Sequence, residues 1–352
     1  MTPRRALCTA SKPIGFVFDI DGVLLRGKNP IPSASKALSL LNDIKIPYIL
    51  LTNGGGKLET ERAKALSRTL NVEISPLQIV QCHTPFKTLA NKFDRVLAVG
   101  TPSVREVAEA YGFKDVVHQY DIVRYNKNIT PFSALSREQL MQYSKEISNL
   151  DTKRFDAILV FNDPLNWAAD IQIMCDLLNS QNGMLNTVRK DKSETPSIPI
   201  FFSNKDLLWS NAYNLNRFGQ GAFRLLVRKL YCETNNGKPL IDFVTGKPTK
   251  LTYDFAHHLL IRWRDVLFQH SDGSPATLPE LGIAPKNSPF TDVFMVGDNP
   301  ASDIAGAINY GWSTCLVKTG VYREGDCIGE NNPTMTVSDV HEAVTNVLNR
   351  YV

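Results

Sequence analysis

The chain has no C-x-x-C pair; its six cysteines, Cys8, Cys82, Cys175, Cys232, Cys315 and Cys327, are scattered. That spacing speaks against a zinc knuckle or a disulfide framework and fits reduced, buried thiols. No apolar run approaches the ~20 residues of a membrane-crossing helix, so no membrane span is expected. No dense block of Lys and Arg occurs. With 39 basic and 35 acidic residues the formal charge is only +4, too mild to imply a nucleic-acid partner. His257 and His258 are adjacent rather than four apart, which argues against a histidine metal site on a helix. Internal repeats and low-complexity segments are also missing. So are acids ahead of Asp19: residues 1–18 carry Arg4, Arg5 and Lys12 with several small or hydroxylated residues. Such a composition suits a mitochondrial presequence, although Pro3 and Pro13 limit any helix there. A plain tail on a cytoplasmic protein is the alternative.

What the chain does have is an apolar content of 43% over 352 residues, enough for one large domain or two ordinary ones. Residues 14–20 read as a buried strand, 33–42 as a helix, 46–51 as a strand and 58–70 as a helix. This rhythm predicts a parallel sheet covered on both faces. Ser75-Pro76 reads as the N-cap and first residue of a further helix. A second unit begins near Pro85, with strands at 95–99, 115–117, 156–161 and 198–202. Helices are expected there at 102–111, 137–147, 167–178 and 223–231. Residues 124–155 and 186–197 look like polar insertions. The third stretch returns to the first style, with 241–244 leading into Gly246-Lys247-Pro248. After it come a helix at 251–267, a loop at 271–291, a strand at 292–296, a helix at 302–310, a strand at 313–317 and a closing helix at 337–348. The expected layout is a tail at 1–13, a core in two parts (14–84 and 236–352), and a cap inserted at 85–235.

Four segments carry candidate chemistry. Asp19-Ile20-Asp21-Gly22 ends the first strand, where α/β sheets open their ligand crevice. Asp19 can attack phosphorus, and Asp21 can hand a proton to the leaving group. A calcium-binding EF-hand loop is excluded by Val23 and Pro30 at its fifth and twelfth positions. Thr52-Asn53-Gly54 ends the second strand and offers a hydroxyl and backbone N–H groups to a phosphate oxygen. Lys247 can neutralise charge on a transferring phosphoryl group. Asp298 closes a later strand, and Asp303 falls in the first turn of the next helix. Carboxylates converging in one crevice need a cation among them, and hard oxygen donors suit Mg²⁺.

In combination these segments resemble the haloacid dehalogenase-like (HAD) hydrolase superfamily. The region between the second and third motifs is similar to the cap of subclass IIA. Asp206-Leu207-Leu208-Trp209 and Phe218-Gly219-Gln220-Gly221-Ala222-Phe223 resemble the cat-eye-syndrome-critical-region branch with its fungal mitochondrial members. The resemblance implies an α/β fold, a Rossmann-like doubly wound parallel-sheet core with an inserted αβ cap of the C2 type. It implies Asp19 as nucleophile, Asp21 as acid/base and Lys247 as stabilising cation. Thr52, Asn53 and Gly54 become phosphate contacts, and Asn204, with Lys205 and Asp206, a cap contact to substrate. Mg²⁺ is assigned to Asp19, Asp298 and the backbone carbonyl of Asp21, with Asp303 supporting the shell. The implied activity is phosphomonoester hydrolysis of a small phosphorylated metabolite through an aspartyl-phosphate, in a protein that forms a homodimer. A phosphomutase and a catalytically idle binding scaffold are the alternatives. Gly55 and Gly56 depart from the pattern, because many capped relatives carry side chains there.

Overall fold

The computed structural model describes residues 13–131, 135–209, 213, 215–269, 278–324 and 332–351. Residues 1–12 of the expected address segment and residues 271–277 of the 271–291 loop lie outside the described residues.

Apolar runs of five or six residues form the centre of the molecule. Ile14–Phe18 and Tyr48–Thr52 are buried along their whole length, as strands covered on both faces must be. They belong to a six-stranded sheet in the order Met335–Val337, Ser313–Val317, Asp292–Gly297, Ile14–Phe18, Tyr48–Thr52, Ile79–Gln81. Every neighbouring pair in it is parallel. Phe16 and Phe18 point to one face, against Leu38 and Leu41 of the helix Ala34–Asp43, and the Val344–Val347 side of the closing helix Val340–Tyr351. Val17, Ile49 and Met295 point to the other, against Tyr253 and Leu260 of the helix Lys250–Leu267. The sheet is thus doubly wound.

A second parallel sheet runs Phe243–Val244, Ile200–Phe202, Ala157–Val160, Arg95–Val99, Asp115–His118. It has its own apolar faces, one around Leu97, Ile158 and Phe223, the other around Phe86, Leu159 and Phe161. The expected strands and helices are present here within a few residues. One is placed differently. Residues 241–244 are expected from sequence to begin the return to the first sheet, but Phe243–Val244 pairs with Ile200–Phe202. The chain crosses back only at Thr245–Pro248.

Three further differences have local causes. Ser75 does cap a turn, through a capping box with Gln78, but only the 3₁₀ turn Pro76–Gln78 forms. The β-branched Ile79 and Val80 next in the chain extend as an edge strand. The helix expected at 302–310 opens as a π turn, Pro300–Ile304, before Ala305–Tyr310. A helix not foreseen, Gln119–Tyr125, starts from a His118/Asp121 capping box.

Asp170, in the first turn of Trp167–Leu178, is 1% exposed, and no cation pairs with it among the described residues. Burial pushes its carboxyl up to about 7, against a weaker downward pull from the Asn166 backbone. The folded state therefore holds a proton that the unfolded chain releases near pH 4, and stability is lost as pH rises from about 4 to 7. Asp170→Asn is expected to be more stable than the natural protein at pH 8, by up to a few kcal/mol, with the difference gone by pH 4. Urea unfolding at both pH values checks this; equal stability at pH 8 would refute it.

Candidate active site

Asp19 comes directly after the Ile14–Phe18 strand, and its backbone N–H donates to Val296 O on the neighbouring strand (2.9 Å). Asp298 comes directly after that neighbour, Asp292–Gly297. The two strands lie side by side where the sheet order reverses: from Ile14–Phe18 the chain winds outward one way, and it returns on the other flank. Strand spacing thus brings together two acids 279 positions apart in the chain, in the crevice such a reversal opens.

Lys247 bridges Asp19 Oδ1 and Asp303 Oδ1, at 2.7 Å to each, and is 1% exposed. Asp303 is fully buried, and its Oδ2 accepts from the backbone N–H of Asp298 (3.1 Å) and of Asn299 (3.0 Å). The π turn makes this possible by setting Asp303 beneath the 298–299 peptide. Asp298 Oδ2 accepts from Val321 N at 2.6 Å. Gly22 (φ +89°) and Gly320 lean on the Asp298 carboxylate so closely that a Cβ at either would overlap it.

Oxygens of Asp19, Asp298 and Asp303 lie within 4.8 Å of one another. Burial lifts the Asp19 carboxyl well above its usual range; Lys247 opposes this, while Asp303, Asp298 and Asp21 reinforce it. Burial, then Asp303, pushes Asp298 up to about 7. Burial disfavours the Lys247 ammonium, but Asp19 and Asp303 outweigh it and raise its pKa. One cation among three buried carboxylates leaves a deficit of two positive charges. The donor set is all hard oxygen, so the residues fit a divalent metal ion.

Asp21 stands outside this cluster. Its side chain is 59% exposed, 4.0 Å from the Arg62 guanidinium. Thr52 Oγ1 accepts from Gly54 N (2.9 Å). The Asn53 side chain is committed to protein partners. Its Nδ2 donates to Asp206 Oδ2 (2.8 Å) and Lys247 O (3.0 Å), and its Oδ1 accepts from Lys247 N (2.7 Å). Asn53 thereby aligns the Lys247 loop with the second-sheet unit. Asn204 is 9% exposed and donates to Asn53 O at 3.4 Å. Lys205 is exposed.

Sequence reasoning does not single out Arg62 or Val321, because a lone helix Arg and a loop N–H carry no pattern. It does flag Gly55 and Gly56, and the structure explains them. The second-sheet unit sits on this loop, where Ser103 Oγ donates to Gly56 O (2.9 Å); Gly56 N donates to His83 Nε2 (2.9 Å), a residue of the expected core part 14–84. A Cβ on Gly56 (φ +93°) would overlap Asn162, and one on Gly55 would collide with His83 and Cys82. The glycines are the seat on which the upper unit docks.

A haloacid dehalogenase-like hydrolase family model matches residues 16–114, and a HAD-hydrolase-like model matches residues 244–343. The chain is 65% identical to a mitochondrial hydrolase of Saccharomyces cerevisiae over the full length of both. It is 41% identical, over 94% of its length, to a cardiolipin synthase (CMP-forming)/mitochondrial hydrolase fusion protein of Schizosaccharomyces pombe, of which it spans 51%. Among solved structures it resembles a 4-nitrophenylphosphatase from Thermotoga maritima, with a TM-score of 0.59 at 16% identity, covering 94% of this chain and 96% of that one. Both curated relatives are named mitochondrial, in agreement with the address expected from the N-terminal composition. With family models matching residues 16–114 and 244–343 and a full-length relative at 65% identity, the chain belongs to the haloacid dehalogenase-like hydrolase family.

Proposed function

We propose that the protein is a Mg²⁺-dependent phosphomonoesterase that works through an aspartyl-phosphate on Asp19. The observation that carries this is the buried Asp19 carboxylate, 2.7 Å from Lys247 Nζ and grouped with Asp298, with a solvent-facing carboxylic acid two residues on.

Asp19 and Asp298, with the Asp21 backbone carbonyl, would hold the metal ion, and Asp303 would brace the set through Lys247 and the 298–299 peptide. When bound, Mg²⁺ supplies the two missing positive charges and draws off charge from the phosphoryl oxygens. An Asp19 oxygen attacks phosphorus as the bond to the leaving oxygen breaks, and Asp21 gives that oxygen a proton. Asp21 then takes a proton from water as the water oxygen attacks phosphorus and the bond to Asp19 breaks. Its exposure lets it exchange that proton with solvent between steps. Lys247 stabilises the phosphoryl charge throughout, in a setting dry enough to make it count.

The second-sheet unit, proposed as residues 85–235 with its last strand at 243–244, acts as the roof that excludes water and reads the leaving group. Leu225, Leu226 and Leu230 on Gln220–Thr234 are exposed and suit burial in a homodimer. One relative joins a CMP-forming synthase to its hydrolase, so CMP belongs beside glycerol phosphates, sugar phosphates and pyridoxal phosphate in a substrate panel. The first test is release of 4-nitrophenol from its phosphate. Hydrolysis is expected with Mg²⁺ and is expected to stop on chelation; Asp298→Asn should raise the Mg²⁺ requirement at least ~10-fold. Hydrolysis indifferent to chelation would overturn the proposal.

A further inference from the structure

A cavity of about 390 Å³ lies in the second-sheet unit, at the opposite end of its helices from the Asn53 loop. The helix Gln220–Thr234 starts beside that loop, where Gln220 Oε1 accepts from Asn204 N (2.8 Å) and Asn204 Nδ2 donates to Asn53 O (3.4 Å). It ends at Thr234, in the cavity wall. Its 15 residues, at ~1.5 Å each, set the two ends ~22 Å apart. The two stretches that read from sequence as insertions, 124–155 and 186–197, meet here. Ile129 comes from the first, Val188 and Lys192 from the second. At ~30 Å³ per water the space holds roughly a dozen waters, about the bulk of a mid-sized amino acid.

Arg189 fastens the second insertion in place. Its backbone N–H donates to Asn179 O (2.9 Å), its Nη2 to the Tyr231 hydroxyl (2.6 Å) and Asn235 Oδ1 (3.1 Å), and its Nη1 to Thr195 O (2.7 Å). A wall fixed before a ligand arrives loses little freedom on binding. Several polar groups in that wall lack partners. Asn179 Oδ1 is buried and accepts no hydrogen bond among the described residues. Asp176 accepts from Gln172 Nε2 on Oδ1 (2.8 Å) and meets no cation among the described residues. Lys192, partly exposed, meets no acid among them, so no ion pair joins these two lining charges. Asp176 stands in the last turn of Trp167–Leu178, whose carbonyl end adds partial negative charge and which has no basic residue there. Ile129, Leu185 and Val188 supply apolar wall.

We propose that this cavity is a second ligand site, separate from catalysis, and that it binds a small zwitterion with an apolar body, the chemistry of a free apolar amino acid. The ammonium group goes to Asp176 and the helix end, the carboxylate to Lys192, and the apolar body to Ile129, Leu185 and Val188. An amine alone would leave Lys192 unpaired, and an acid alone would leave Asp176 unpaired. One ligand charge of each sign offsets both. A phosphate ester does not fit, because its two negative charges would face Asp176 with only Lys192 to offset them. The site stands whether or not Asp19 turns over phosphate esters.

Calorimetric titration of the full-length protein with the apolar L-amino acids, from alanine to phenylalanine, tests this. At least one is expected to saturate a single class of site. For that amino acid, Asp176→Asn and Lys192→Met are each expected to weaken binding about tenfold or more. Both variants should keep the unfolding profile of the natural protein and its rate with 4-nitrophenyl phosphate. The matched amine without the carboxyl group, and the matched acid without the amino group, should bind the natural protein at least ~10-fold more weakly than the amino acid. That comparison decides alone if a variant fails to fold. Binding of none of the amino acids, equal binding of the amine or the acid, or folded variants that bind like the natural protein would overturn the assignment.

Discussion

Asp19→Asn is expected to lower kcat by roughly 10⁴-fold or more, the scale on which loss of a nucleophile is felt. The fold should survive the change. Asparagine keeps the shape, and its amide oxygen can still accept from Lys247, which retains its 2.7 Å bond to Asp303. The charge removed is one the site carries reluctantly. Burial holds the Asp19 carboxyl well above its usual range, so the charged form costs stability at neutral pH without metal. In the chelated protein Asp19→Asn should therefore unfold at the same temperature as the natural chain or higher, while turnover is gone. An inactive variant that is also strongly destabilised would point to a structural role for Asp19.

Lys247→Met is expected to lose both properties together. Met approximates the length of the stem but leaves Asp19 and Asp303 buried with no cation between them. Breaking a buried ion pair from one side costs about 3–5 kcal/mol. The loss of phosphoryl charge stabilisation should cost kcat a further ~10²–10³-fold. Guanidinium unfolding of Lys247→Met, Asp303→Asn and the double variant checks the first part. Removing the Asp303 charge should recover part of the lost stability, so the double variant should cost less than the sum. Additive losses would mean that the buried charges do not depend on one another.

Much of this site is legible from one sequence because its acids lie at strand ends. Apolar runs such as Ile14–Phe18 and Asp292–Gly297 mark buried parallel strands, and the residues just past their carboxyl ends, Asp19 and Asp298, face the crevice. Side-chain commitment is not legible in the same way. Asn53 reads as a phosphate contact, yet its amide is spent on Asp206 and the Lys247 backbone. Those partners arrive from 153 and 194 residues away. Asp303 reads as a support of the metal shell, but the sequence does not show what it would hold: Lys247 on one oxygen and two backbone N–H groups on the other. Phe243–Val244 reads as part of the returning core because it precedes Gly246-Lys247; two residues carry too little pattern to say which sheet they join. The paired Gly55 and Gly56 are visible as a departure, and only the contacts with Asn162, Ser103 and His83 give them a reason.

The covalent step on Asp19 is the claim on which the rest depends, and borohydride trapping during turnover reaches it directly. An acyl phosphate is reduced by borohydride and an ordinary carboxylate is not. Protein quenched with borohydride while hydrolysing 4-nitrophenyl phosphate is expected to carry homoserine at position 19 and nowhere else, and to carry none when Mg²⁺ is withheld. Active protein that yields an unmodified Asp19, or reduction at another carboxylate such as Asp21 or Asp298, would contradict the account.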